Sequence, residues 1–184
     1  VYNNKKLHDS ARLKALSYTI SEFDNIDTSL FYANKLIKES KEKRNPKHFA
    51  IGLKYYADYI YKKDEINESI RYAQRLQEGI LVPDELRKEW LPESFIYFKP
   101  KDVVSGDFYW LESVGNKVYI AAADCTGHGI PGAMVSMICS AALNKSLYED
   151  FVSEPSKILD NCRALVEERF VRSKDQIKDG MDIS

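Results

Sequence analysis

Two apolar segments joined by a two-residue turn constrain the fold of this chain more than any other feature of its sequence. The segments cover residues 107–114 and 117–124, and Gly115-Asn116 lies between them. A dipeptide led by glycine suits the tight turn of a β-hairpin, so the sequence predicts two antiparallel strands here. If the loop contains only those two residues, Val114 pairs with Lys117.

Equal steps outward from that first pair bring Asp107 directly opposite Asp124. Opposed residues of an antiparallel pair point to the same sheet face, with Cα atoms roughly 4.5 to 5.5 Å apart. Two like charges so placed repel each other, and one divalent cation or a pair of cations would remove the repulsion. Paired metals recur in the hydrolysis of phosphate esters, and carboxylates favour Mg²⁺ or Mn²⁺ over Zn²⁺. On spacing alone, two aspartates that merely face solvent are an open alternative.

The segment after Asp124 favours the metal site. Gly127 and Gly129 permit a tight backbone turn, and Pro131 suits the first turn of a helix. A strand thus ends on an acid and passes through a glycine loop into a helix. That arrangement is typical of sites that anchor ions or phosphate.

Two long motifs contain these features: residues 98–110, FKPKDVVSGDFYW, and residues 123–133, ADCTGHGIPGA. In order and separation they resemble the opening motifs of the SpoIIE-type (RsbU-like) branch of metal-dependent PPM serine/threonine phosphatases. The resemblance covers about residues 68–184. It implies the first part of a PPM-type layered α/β sandwich and a bacterial regulatory phosphatase. The implied substrate is phosphoserine or phosphothreonine on a protein of the anti-sigma-factor antagonist type.

By the same resemblance, Asp107 and Asp124 would be the catalytic residues that hold two Mn²⁺ or Mg²⁺ ions, assisted by the backbone carbonyl of Cys125. A water or hydroxide between the metals would attack phosphorus directly, without a phosphoenzyme. Family members bring further metal-binding aspartates from later strands, so we expect this chain to be truncated within the domain and inactive by itself. Asp182 precedes those later motifs, and we interpret it as a structural or surface acid.

Two residues of the glycine loop have alternative roles. His128 could act as general acid for the departing serine or threonine oxygen, or it could hold the turn by hydrogen bonding. The second role is slightly favoured, because the resembling family can use metal-bound water without a histidine there. The thiol of Cys125 has no basic partner placed to activate it, which favours a carbonyl donor over a nucleophile.

The first 81 residues are helical in character and contain an internal repeat. Predicted helices at about 7–21 and 26–41 are followed by predicted helices at 47–62 and 66–81, so two helix-turn-helix units would form residues 1–82. This resembles a tetratricopeptide array, although the period of 40 residues exceeds the usual 34. Residues 83–184 would be the phosphatase domain. The repeat rests on eight identities: Leu13/Leu53, Ile20/Ile60, Asp24/Asp64, Ile26/Ile66, Ser29/Ser69, Tyr32/Tyr72, Ala33/Ala73 and Leu36/Leu76.

The last predicted helix of the repeat carries an apolar stripe at helical spacing. In the resembling family such a helix leads into the phosphatase domain and often helps it to dimerise or to receive a signal. We therefore expect a possible homodimer and transmission of a regulatory signal through this helix, although ordinary packing would use the same stripe. The stripe consists of Ile70, Ala73, Leu76, Gln77 and Ile80.

Further patterns complete an α+β fold, all-α at the N-terminus. A strand is predicted over residues 94–99, the strand at 118–123 is expected to be central and covered on both faces, and helices are predicted over 131–148 and 155–172. His8 and His48 lack metal-ligand spacing and are predicted to lie at the surface.

Composition limits the partners. The chain has 27 basic and 28 acidic residues and a net charge of −1, so nothing indicates nucleic acid or an anionic membrane. Three cysteines without a CxxC motif indicate reduced thiols and a cytoplasmic protein. No run approaches the ~20 apolar residues of a membrane span. The absence of an initiator methionine leads us to expect a piece of a longer protein.

A different class of function is open as well. The helical repeats could bind a partner while an incomplete phosphatase-like part serves as a non-catalytic scaffold. A nucleotide-binding domain is a less favoured hypothesis, because the glycine loop lacks the lysine with which a P-loop binds phosphate.

Overall fold

The computed structural model describes residues 9–21, 26–149, 153–171 and 179–184. Contacts divide the chain into two compact units, Val1–Glu68 and Ser69–Ser184. The α+β class is confirmed. The described ranges contain the helices α1 (Asp9–Ser21), α2 (Ile26–Glu42), α3 (Pro46–Glu78), α4 (Asp84–Trp90), α5 (Gly129–Tyr148) and α6 (Pro155–Val171), and the strands β1 (Phe108–Val114), β2 (Lys117–Cys125) and β3 (Met181–Ile183).

In the first unit, α1 and α2 pack through apolar side chains at helical spacing, joined by the first part of α3. A Cβ atom at Gly52 would lie 2.8 Å from Cγ1 of Ile37, so the glycine allows α3 to approach α2 closely. The fully buried or nearly buried side chains of this core are Leu13, Leu16, Ile20, Ala33 and Leu36.

The second predicted helix-turn-helix is wrong, because residues 46–78 form the single helix α3. Residues 62–66 contain neither glycine nor proline, so nothing in the local sequence stops the helix there. The side chain of Asn45 caps its start: Oδ1 accepts a hydrogen bond from the backbone N–H of His48 at 3.2 Å. The first predicted turn, at 22–25, lies outside the described residues.

The prediction of a surface His48 is also wrong. Its side chain is only 7% exposed, and its Nδ1 lies 3.1 Å from Oδ1 of Asn45. Burial, together with the nearby charge of Lys47, lowers the pKa of His48. His8 lies outside the described residues.

The second unit is built on a three-stranded antiparallel sheet in the order β1-β2-β3. The hairpin has the predicted register, from Val114 opposite Lys117 to Phe108 opposite Ala123. Gly115 has a φ of 63°, which explains why a glycine leads the two-residue turn. The strand β3 pairs with the far edge of β2, so the prediction of a central β2 is confirmed.

One face of the sheet packs against α5 and α6, which also pack against each other. Both helices agree closely with their predicted ranges. On the other face Ile120 of β2 is 68% exposed, so the expectation that β2 is covered on both faces is wrong here. The core includes Phe108, Trp110, Ala123, Cys139, Leu143, Leu147, Ile158, Cys162, Val166 and Phe170.

The strand predicted over residues 94–99 is also wrong, because this segment forms no β-ladder with any described strand. The guanidinium group of Arg87 donates a hydrogen bond to the carbonyl of Ser94 instead, and Phe95 and Tyr97 are largely exposed. No helix in the described part of the chain is long and apolar enough to cross a membrane.

Candidate metal-binding site

The predicted pair of aspartates lies at the open end of the hairpin. The outermost pair of the hairpin is Phe108 opposite Ala123. Asp107 directly precedes Phe108 and Asp124 directly follows Ala123, so the two aspartates are opposed at the next position of the register. Burial raises the pKa of Asp107, and the hydrogen bond and charge of Asp124 raise it further. The two carboxyl groups therefore interact as the sequence analysis expected, and one of them is driven towards its neutral form.

A third carboxylate, Asp182, lies on the other side of Asp124. In the register of β2 and β3, Asp182 is directly opposite Asp124, so both side chains point to the same face of the sheet. Together with Asp107 they line a cavity of about 650 Å³, whose wall includes Tyr109 and the segment 95–98. The position of Asp182 at the site was not predictable, because Asp124 and Asp182 are 58 positions apart and meet through tertiary folding rather than through a local turn.

Three glycines bring the backbone segments of the site into direct contact. A Cβ atom at Gly106 would lie 2.6 Å from the carbonyl oxygen of Gly127 and 3.0 Å from that of Cys125. A Cβ atom at Gly132 would lie 2.5 Å from the same oxygen of Gly127. The loop that carries Asp107, the glycine loop and the first turn of α5 therefore pack without side chains between them. The turn at 127–129 was predictable from its glycines, whereas this packing was not.

A buried hydrogen-bond network supports the same loop. The side-chain amide of Gln77, near the end of α3, donates to the carbonyl of Ser105 and to Oγ of Ser136 on α5, at 2.9 Å for the latter. Its Oε1 accepts the backbone N–H of Ser105 at 2.9 Å. In turn, Oγ of Ser105 accepts the backbone N–H of Asp107 at 3.0 Å. Gln77 belongs to the predicted apolar stripe, and a glutamine in such a stripe was the available signal for a buried polar contact.

The thiol of Cys125 points into the core rather than towards the cavity. Its side chain is buried, and a hydrogen bond with Cys139, reinforced by burial, raises the pKa of the Cys125 thiol. The same hydrogen bond lowers the pKa of Cys139, whereas burial raises the pKa of Cys162 to about 12. A buried, protonated thiol is a poor nucleophile. The carbonyl of Cys125 packs against Gly106, beside Asp107, and its role as a ligand stays a prediction.

His128 lies at the N-terminal cap position of α5. Its Nδ1 is 3.0 Å from Oδ2 of Asp102, and its side chain is 79% exposed. This contact joins the loop before β1 to the start of α5, as the turn-holding interpretation requires. No pattern in the sequence indicated a role for Asp102.

The donors that meet here fit a hard divalent cation in type but not in number. Two opposed carboxylates that repel each other, next to a backbone carbonyl, are oxygen ligands of the kind that Mg²⁺ and Mn²⁺ prefer. Among the described residues, however, no group of three or more histidine, cysteine, aspartate or glutamate side chains is arranged to hold a metal ion. Further ligands are therefore required for a complete site.

Comparison with known proteins supports this interpretation of the fold. No protein-family model and no curated protein matches the sequence. Among solved structures, the chain is similar to the SiaA-PP2C domain of Pseudomonas aeruginosa, with 32% sequence identity and a TM-score of 0.58. The match covers 66% of this chain and 48% of the other, so the chain spans about half the length of the solved chain that it matches. The likeness supports a PPM-type fold.

Proposed function

We propose that this chain is part of a metal-dependent PPM-type serine/threonine phosphatase in bacterial signalling. The observation that carries the proposal is the pair of opposed carboxylates, Asp107 and Asp124, at the end of a hairpin in a fold similar to a PP2C domain. The sequence motifs extend the proposal to the SpoIIE-type branch. They favour a phosphorylated protein of the anti-sigma-factor antagonist type as the substrate.

In this proposal Asp107 and Asp124 hold the metal ions, with the carbonyl of Cys125 as a further ligand. Bound Mn²⁺ or Mg²⁺ would supply Lewis-acid activation of water and of the phosphoryl group. The chain contributes fixed positions for its ligands: glycine packing sets the loops, and Ser105 holds the backbone of Asp107. The cavity beside the carboxylates provides room for a phosphorylated side chain.

Among the described residues the ligand set is incomplete, so the 184-residue chain is expected to be inactive alone. The test is the Mn²⁺-dependent release of phosphate from a phosphoserine peptide and from a phosphorylated antagonist protein. It compares this chain with a longer chain that extends through the rest of the domain. Activity in the longer chain alone supports the proposal. If both chains are folded and inactive with both substrates, the non-catalytic scaffold becomes the better hypothesis.

We further propose that the N-terminal helical unit regulates the phosphatase through α3. This helix begins in the first unit and ends in the second, where Gln77 binds Ser105 beside the candidate site. Its apolar stripe includes the partly exposed Leu76, which is available for dimerisation. A Leu76→Glu substitution in the full-length protein should change the oligomeric state or the phosphatase rate, whereas the exposed Arg71→Glu should not. If neither property changes in Leu76→Glu, this regulatory proposal is wrong.

A further inference from the structure

The first unit contains a groove that the phosphatase proposal does not use. It lies between α1 and the beginning of α3 and has a volume of about 580 Å³. Every residue that lines it belongs to the first unit. Its charged and aromatic side chains are Lys14, Tyr18, Lys47, His48, Lys54 and Tyr55.

The groove is positively charged, and no acidic side chain lines it to offset that charge. Lys14, Lys47 and Lys54 line it, and none of its lining residues is an aspartate or glutamate. No ion pair within the described part of the chain includes any of these three lysines. Three ammonium groups around one groove, with no acidic side chain on its walls, attract an anion.

The charge of the whole unit agrees with that of the groove. Residues 1–68 contain 13 lysines and arginines and 10 aspartates and glutamates, a net charge of +3. Residues 69–184 contain 14 and 18, a net charge of −4. The first unit is therefore basic, although the net charge of the whole chain is only −1.

The spacing of the lysines suits an extended chain better than a single small anion. Lys47 and Lys54 lie seven residues apart on α3, which corresponds to about 10 Å along a helix. That length equals about three residues of an extended peptide at roughly 3.3 Å each. Tyr18 and Tyr55 add aromatic surface, and Nζ of Lys14 lies 5.9 Å from the centre of the Tyr18 ring.

We propose that this groove binds an extended, acidic peptide segment of a partner protein. The carboxylates of the peptide would bind the three lysines, and an apolar side chain would pack against the tyrosines. Nucleic acid fits less well, because the groove is only a few residues long and the remainder of the chain is acidic. The proposal does not depend on phosphatase activity.

The test uses the 184-residue chain and a fluorescein-labelled peptide of sequence DEYDELDE, whose binding is measured by fluorescence anisotropy. Lys14→Glu and Lys54→Glu each reverse one charge at an exposed position of the groove. Lys62→Glu makes the same change on the same helix outside the groove, and Lys54→Gln removes the charge without reversing it. Circular dichroism checks that all variants are folded.

The expected result is a dissociation constant of about 10 to 100 μM at low salt. Lys14→Glu and Lys54→Glu should each weaken binding at least about tenfold, Lys54→Gln less, and Lys62→Glu less than about twofold. Equal binding by the groove variants and the wild-type protein would overturn the proposal, as would an equal loss in Lys62→Glu. Tighter binding of octathymidylate or of phosphatidylserine vesicles than of the peptide would also overturn it.

Discussion

Gly132 offers a direct test of how the candidate site is assembled. It lies in the first turns of α5, and a Cβ atom there would meet the carbonyl oxygen of Gly127 at 2.5 Å and its carbonyl carbon at 2.8 Å. Both are main-chain atoms, so a Gly132→Ala substitution must move the glycine loop or the helix. Alanine gains about 1 kcal/mol over glycine inside a helix, whereas overpacking costs about 1 to 3 kcal/mol or more. A clash with backbone belongs at the upper end, so we expect a net loss of about 2 kcal/mol.

Thermal unfolding followed by tryptophan fluorescence measures this loss, because both tryptophans, Trp90 and Trp110, belong to the second unit. A loss of about 2 kcal/mol should lower Tm by about 4 to 8 °C. Gly180→Ala is the matched control, since its Cβ atom would meet nothing within 4 Å and its φ is not positive. It should not lower Tm, because Gly→Ala at an open position without positive φ is neutral or slightly stabilising. A Gly132→Ala protein as stable as the wild type would refute the tight packing of the loop against α5.

Three other predictions concern charge and buried hydrogen bonds. Because the pKa of Asp107 is raised, its charge destabilises the metal-free fold at neutral pH; Asp107→Asn should therefore raise Tm in EDTA at pH 7. That advantage should shrink as the pH falls and vanish below pH 3.8, the ordinary pKa, because the carboxyl group is then protonated in the folded and the unfolded protein alike; a constant advantage would contradict this. Gln77→Met leaves the buried backbone N–H of Ser105 without its partner, whereas the carbonyl of Ser105 keeps Oγ of Ser136 as a donor; it should cost about 1 to 3 kcal/mol in urea unfolding, and less than about 1 kcal/mol would contradict this. Asn144→Ala removes the acceptor at 2.7 Å from Nε1 of buried Trp110 and should cost about 1 to 3 kcal/mol; a neutral result would contradict it.

Elements fixed by neighbouring residues were predictable from the sequence. The hairpin and its register follow from a two-residue turn, and Gly115 adopts the positive φ that such a turn requires. The helices α5 and α6 follow from apolar spacing and from prolines at their beginnings. The opposed positions of Asp107 and Asp124 need no information beyond that register.

Features that depend on distant partners were not predictable. Residues 94–99 have the composition of a strand, but a strand needs a neighbour, and Arg87 binds the carbonyl of Ser94 instead. The break within residues 46–78 was predicted from the apparent repeat. The helix continues through this position because the local residues all tolerate a helix. Burial of His48 depends on how α1 and α3 pack.

The candidate site likewise contains some features that were predictable from the sequence and others that were not. The two candidate metal-binding aspartates come from one local hairpin, but the placement of Asp182 requires the pairing of β3 with β2. The contact of Gln77 with Ser105 likewise joins residues 28 positions apart. Long-range pairing of this kind carries no local pattern, so sequence analysis could identify the residues but not their neighbours.

The most direct test of the proposed function measures the role of Asp124 in a protein that contains the rest of the domain. Phosphate release from a phosphoserine peptide is measured with Mn²⁺ and with EDTA, for the wild type and for Asp124→Ala. Mn²⁺ binding is measured in parallel by calorimetry. We predict release by the wild type only with Mn²⁺, and a loss of at least about 100-fold, with weaker Mn²⁺ binding, in the folded variant. Wild-type activity and Mn²⁺ affinity in Asp124→Ala would contradict the assignment of the site.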